Sequence, residues 1–129
     1  MRILNVLFFF LISFYGFGQQ KTDTIKKAEV FSRLVSIDIS KIKTPCDCSD
    51  AMERIADCLV KITDPFSSKQ EMENDRQVKN FIDLSNVKTA QVASQCEKKL
   101  GFRDSDIFEC KSFKQLKEKS AILNRKFRK

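Results

Sequence analysis

Val30, Phe31, Leu34 and Val35 recur at helical spacing between Ile25 and Ser36, and then Val35, Ile37 and Ile39 alternate with polar residues. The first pattern predicts a helix and the second an extended connector. Lys43-Thr44-Pro45 ends that connector, because a residue before proline avoids the helical basin. Met52, Ile55, Ala56, Leu59 and Ile62 then line one face of a second helix. Asp50 and Glu53 have the spacing of a capping box, and Asp64-Pro65 is a stop. Ser67 to Arg76 is polar, a loop or the exposed start of the next helix, with Ser68 and Glu71 as a second capping pair. Val78, Ile82, Ser85, Thr89, Val92, Cys96 and Leu100 form one stripe of a third helix, with Phe81 and Leu84 beside it. Gly101 stands where a left-handed C-terminal cap is wanted. Asp106 and Glu109 box the start of a fourth helix. The expected fold is all-α, with three to four helices around an antiparallel hairpin that turns near residues 65 to 76.

The beginning of the chain follows a different pattern. Arg2 precedes an apolar run, Ile3 to Phe14, that only Asn5 and Ser13 interrupt, and Tyr15-Gly16-Phe17-Gly18 follows. A positive start, a short apolar run and small residues before a cut describe a secretion signal cleaved after Gly18. The run is too short for a hydrocarbon core that needs about 20 residues. The expected organisation is a signal peptide over 1–18, a helical domain over 19–110 and a basic amphipathic helix or tail over 111–129. The destination is the periplasm or the extracellular space.

Removing the signal leaves 111 residues, Gln19 to Lys129, with no His, Trp or Tyr, one Gly, two Pro and seven Phe. So few turn residues in a charged, periodic chain favour helices over a sandwich or barrel. Without His there is no Ser–His or Cys–His nucleophile pair and no imidazole metal ligand. With one Gly there is no phosphate-cradling loop. Nothing arranges the carboxylates and lysines into a recognisable catalytic set, so no enzyme activity, catalytic residue or cofactor is expected.

Five cysteines stay in the processed chain: Cys46, Cys48, Cys58, Cys96 and Cys110. In an exported protein these read first as disulfides with one cysteine left over. Cys46 and Cys48 precede the second helix and Cys96 lies near the end of the third, and an antiparallel hairpin brings those ends together. A bridge from the Cys46/Cys48 pair to Cys96 would clamp the hairpin, at roughly 3–4 kcal/mol for a loop of about 50 residues. Cys58, beside Ile55 and Ile62, is then expected to meet Cys110. Against this stand a soft-metal site for Cu(I) or Zn at Cys-x-Cys, a redox pair, and a link between two chains. Pro45-Cys46-Asp47-Cys48-Ser49-Asp50-Ala51-Met52 with Cys96-Glu97-Lys98-Lys99-Leu100-Gly101 resembles small helical proteins exported by Gram-negative bacteria, which open on Cys-Asp-Cys and close on Cys-Glu-Lys. The resemblance implies the same hairpin and carries no assigned activity.

Charge is concentrated at one end. Lys111, Lys114, Lys117, Lys119, Arg125, Lys126, Arg128 and Lys129 face a single Glu118, so the tail carries +7 while Gln19 to Cys110 sums to −1. Phe113, Leu116, Ser120, Leu123 and Phe127 recur at three- and four-residue steps within it, with Ile122 beside them. Such a helix either packs its apolar stripe on the hairpin or binds an anionic membrane surface through its cations. Nucleic acid is a poor partner, since export removes it and no recognition motif is present. The expectation is a non-enzymatic structural or interaction module whose partner is a protein or another envelope component.

Overall fold

The computed structural model describes residues 26–128, so the expected signal peptide lies outside the described residues, as do the polar leader before Lys26 and Lys129. Five α-helices make up the described chain: α1 over 26–35, α2 Pro45–Thr63, α3 Lys69–Asn74, α4 Arg76–Ala93 and α5 Lys111–Phe127. The all-α, disulfide-clamped hairpin is what the periodicity predicts. The fifth helix comes from the polar stretch before α4, where α3 forms on its own.

In α1 the helical period buries Val30 and Leu34 and leaves Phe31 and Val35 exposed. The alternating Ile37 and Ile39 do not pair as a strand among the described residues. Asp38 accepts from the Ser40 N–H at 3.0 Å and caps a 3-10 turn, Ile39–Lys41, while Ile37 and Ile42 are buried on either side of it.

Helix α2 begins five residues before the expected Asp50 box. Thr44 Oγ1 accepts from the Asp47 N–H at 3.1 Å, and Asp47 Oδ2 accepts from the Thr44 N–H at 2.9 Å. With Pro45 in the first turn, this reciprocal cap satisfies the orphan donors of the helix start. The earlier start puts both Cys46 and Cys48 on the helix, where two residues span about 200° of circumference. The pair therefore points in opposite directions, one sulfur towards each neighbouring helix.

Ser68 caps α3 as expected, accepting from the Glu71 N–H at 3.2 Å, and Met72 turns inward to near-complete burial. Asp75 ends α3 and caps α4 through the Gln77 and Val78 N–H groups. Helix α4 returns antiparallel to α2 and presents Val78, Phe81, Ser85 and Val92 to the core. It continues as a π-helical turn, Ser94–Lys99, that carries Cys96 inward. Gly101 takes the expected left-handed conformation at φ 70°, and the Phe102 N–H donates to Cys96 O at 2.9 Å. The Asp106 box caps a 3-10 turn, Asp104–Ile107, through the Arg103 N–H at 2.7 Å, and α5 starts only after Cys110.

Helix α1 lies along α4 in the same direction. Lys27 pairs with Asp75 at 3.4 Å, the Phe31 and Phe81 rings are 6.3 Å apart, and Lys88 Nζ donates to Ile37 O at 3.1 Å. The apolar cluster thus joins α1, the connector, α2, α3 and α4, from Leu34 and Ile42 through Ile55 and Ile62 to Met72 and Val92. No helix among the described residues is long and apolar enough to cross a membrane.

Candidate functional site

The most constrained part of the molecule is the end where α2 begins. Cys48 bonds to Cys96, with the Cα atoms 6.2 Å apart, and closes the open end of the α2/α4 hairpin as the hairpin geometry predicts. Cys46 bonds to Cys110, with the Cα atoms 5.4 Å apart, and fixes the start of α5 to the start of α2. The expected Cys58–Cys110 bridge is therefore incorrect. Its physical obstacle is direction. Helix α5 runs parallel to α2, so Cys110 sits level with Cys46, and Cys58 lies about 18 Å further along the helix. Cys58 is the free cysteine, buried against the core. Burial and the neighbouring Asp57 carboxylate push its thiol up, away from the reactive thiolate.

The parallel register of α2 and α5 is marked by polar contacts at equal steps. Ser112 Oγ donates to the fully buried Ser49 Oγ at 2.7 Å. Seven residues on, Lys119 pairs with Glu53 and lies 3.1 Å from Asp57. A further seven residues on, Lys126 Nζ donates to Thr63 O at 2.8 Å and Asp64 O at 3.2 Å, capping the carbonyl end of α2 with a cation. Burial alone would raise the Asp57 carboxyl, but hydrogen bonds from Lys61 and Lys119 outweigh it and hold it below its ordinary value. Burial works against the Lys119 ammonium too, and Glu53 and Asp57 outweigh that and hold it above its ordinary value. This cluster is an internal brace, since every charge in it faces an opposite charge.

The eight expected surface cations therefore divide. Lys119 and Lys126 fasten α5 to α2 and are only partly exposed. Lys111, Lys114, Lys117, Arg125 and Arg128 are exposed, and Lys129 lies outside the described residues. Lys117 sits 5.7 Å over the Phe113 ring, and Arg125 Nε donates to Ala121 O one turn back. The apolar stripe of α5 is half-buried against α2, as a packed last helix requires. The inward role of Ser112, Lys119 and Lys126 was not anticipated. Their seven-residue spacing beside the Phe113–Phe127 stripe was the available signal.

Two of the concavities among the described residues are roomy enough for a small molecule. An open groove of 370 Å³ between α1 and α4 is lined by Lys27, Ala28, Phe31, Ile62, Asn80 and Phe81. Lys27 is the one charged group that lines it among the described residues, and it is tied to Asp75. A second hollow of 250 Å³ includes Asp38, Asp47, Asp50, Lys41 and Arg54. Ser40 donates twice to Asp38, and the Lys43 and Thr44 N–H groups donate to Asp47, holding both carboxyls below their ordinary range. Such carboxylates are helix and turn caps, not acids poised near neutral pH. Among the described residues no group of three or more His, Cys, Asp or Glu side chains could hold a metal ion. With each sulfur of Cys46-Asp47-Cys48 in its own bridge, the pair has no thiolate to offer a soft metal in this oxidised state. Comparison with family models, curated proteins and solved structures gives no match for this chain.

Proposed function

We propose that this protein is an exported, non-enzymatic interaction module of the cell envelope, cleaved after Gly18 and stabilised in an oxidising compartment by its two bridges. The observation that carries the reading is the pair of disulfides at one end of α2, which tie α4 and α5 to the same helix turn. Persistent structural disulfides belong to oxidising compartments. The positive start, apolar run and small residues at Gly16 and Gly18 agree with that destination. Asp38 and Asp47 in the second hollow serve as caps, and no described carboxylate lines the groove between α1 and α4, which supports a scaffold presenting a surface over a catalyst.

Expression of the full chain in a Gram-negative host, followed by fractionation and N-terminal sequencing, tests the reading. The expected product is a periplasmic or secreted chain beginning at Gln19 that, alkylated in denaturant, shows one free thiol before reduction and five after. An uncleaved cytoplasmic chain with five free thiols would overturn it.

A further inference from the structure

The outward face of α5 carries five exposed cations against one carboxylate, Glu118. At about 100° per residue, Lys111, Lys114, Lys117, Arg125 and Arg128 fall within about 120° of the helix circumference. Glu118 and Ala121 are the other residues in that arc. The half-buried residues Ser112, Phe113, Leu116, Lys119, Leu123 and Phe127 occupy the opposite side. The cations therefore form a straight stripe about 25 Å long that faces away from α2. The stripe is held rigid at its start by Cys46–Cys110 and near its end by Lys126 on the last carbonyls of α2.

This arrangement changes how a basic amphipathic helix can meet an anionic surface. Insertion into a bilayer needs a free apolar face, and the apolar face of α5 is spent on α2. The outward arc presents five cations with Glu118 and Ala121, and the exposed Ile122 beside them is a single side chain and not an apolar face. The geometry points to a docking surface for the anionic headgroups of a phospholipid bilayer, held by electrostatic attraction alone, with α5 lying flat and still packed on α2. Charge complementarity argues for that partner: five cations in one line, countered within the arc by Glu118, match a plane of phosphates. The stripe has no aromatic side chain for stacking on bases. The inference deepens the envelope reading and rests on it for the surface encountered, but binding and export are measured separately, so either can fail alone.

Purified oxidised protein sedimented with phosphatidylcholine vesicles, with and without 30% phosphatidylglycerol (about one lipid in three, to give a strong surface charge), tests it. Binding is expected only with the anionic lipid. Each cation near such a surface is worth about fivefold, so K114Q/K117Q/R125Q is expected to weaken binding about a hundredfold. K43Q/K79Q/K98Q, with the same net-charge change on other elements, should weaken it far less. Helical circular dichroism and a free-thiol count check that each variant is folded and bridged. Binding should vanish at high salt, where the screening length shrinks to about 3 Å at 1 M. Equal weakening by both variants would overturn the stripe, and binding that survives high salt would overturn docking without insertion. Wild-type protein that ignores anionic vesicles but is retained on a heparin column would overturn the lipid assignment.

Discussion

Helix α2 is bonded to α4 and to α5 by a disulfide at the same end, yet the two interfaces are built differently. Towards α4 the contact is dry: Val78, Phe81 and Val92 meet Ile55 and Ile62, and each is almost fully buried. Towards α5 no residue of the last helix is buried, and the side chains that meet α2 are half-exposed aromatics and leucines among serine and lysine contacts. The first interface is sustained by removing apolar surface from water, at about 25 cal/mol per Å². The second depends on a covalent tether and a row of polar contacts that fix register more than they add stability. A helix docked in this way keeps its outer face available, which is how a small domain can offer a charged surface without weakening its core.

The largest expected effect lies on the dry side. F81A removes a ring that is 2% exposed and should cost about 3–5 kcal/mol, read as a lower urea midpoint for the whole domain. A similar loss confined to one helix would contradict the view that α2 and α4 unfold together. Removing the disulfides separates the two interfaces. C48A/C96A opens a loop with a sequence separation of 48 and should cost about 4 kcal/mol of global stability. C46A/C110A, with a separation of 64, should instead release α5. Amides of α5 would then exchange early in hydrogen exchange while those of α2 and α4 stay protected. Uniform protection of all three helices in that variant would mean that α5 packing suffices without its tether.

A smaller effect is expected at the brace. K119Q leaves Glu53 and Asp57 facing each other partly buried, and should cost about 1 kcal/mol, expressed as faster exchange in α5 alone. The pH dependence follows from the same cluster. Asp57 is held below 3.8, so its contribution is present above that value and is lost as pH falls through its lower folded value. Lys119 is held above 10.5, so its contribution is present below that value and is lost as pH rises through its higher folded value. Protection of α5 relative to α4 should be flat from roughly pH 5 to 9 and fall at both extremes. The smallest effect concerns Cys58. Its buried thiol, shifted towards the neutral form, should resist iodoacetamide in the native protein and react at once in denaturant.

Much of the dry side was legible in the residues. The stripe from Val78 to Leu100 and the face from Met52 to Ile62 have one period and one partner, so local periodicity is enough to pair them. The Cys48–Cys96 bridge follows because a hairpin returns its ends to the same place. Local hydrogen-bond signals were less decisive. Asp50-x-x-Glu53 has the spacing of a capping box, but the helix starts at the Thr44/Asp47 box instead, where Pro45 fits the first helical turn. The amphipathic period of helix α5 is plain in the residues, whereas its direction is not. Its direction depends on where the connector after Gly101 delivers it, a long-range property that side-chain period does not encode. The spacing held a clue, since the hairpin returns Cys96 to the start of α2 and Cys110 follows it after a short connector. Cys58 drew attention through its place on the apolar face, but burial there supports packing as readily as a bridge.

The parallel docking of α5 on α2 is the central claim, and a disulfide map tests it most directly. Cleavage on the amino side of aspartate separates Cys46 from Asp47-Cys48, so the two bridges can be assigned independently by mass spectrometry of the unreduced, alkylated protein. The expected result is one linked pair joining Cys46 to Cys110, another joining Cys48 to Cys96, and Cys58 unlinked. A Cys58–Cys110 pair, or Cys46 joined to Cys96, would contradict the register on which the brace and the outward basic stripe both depend.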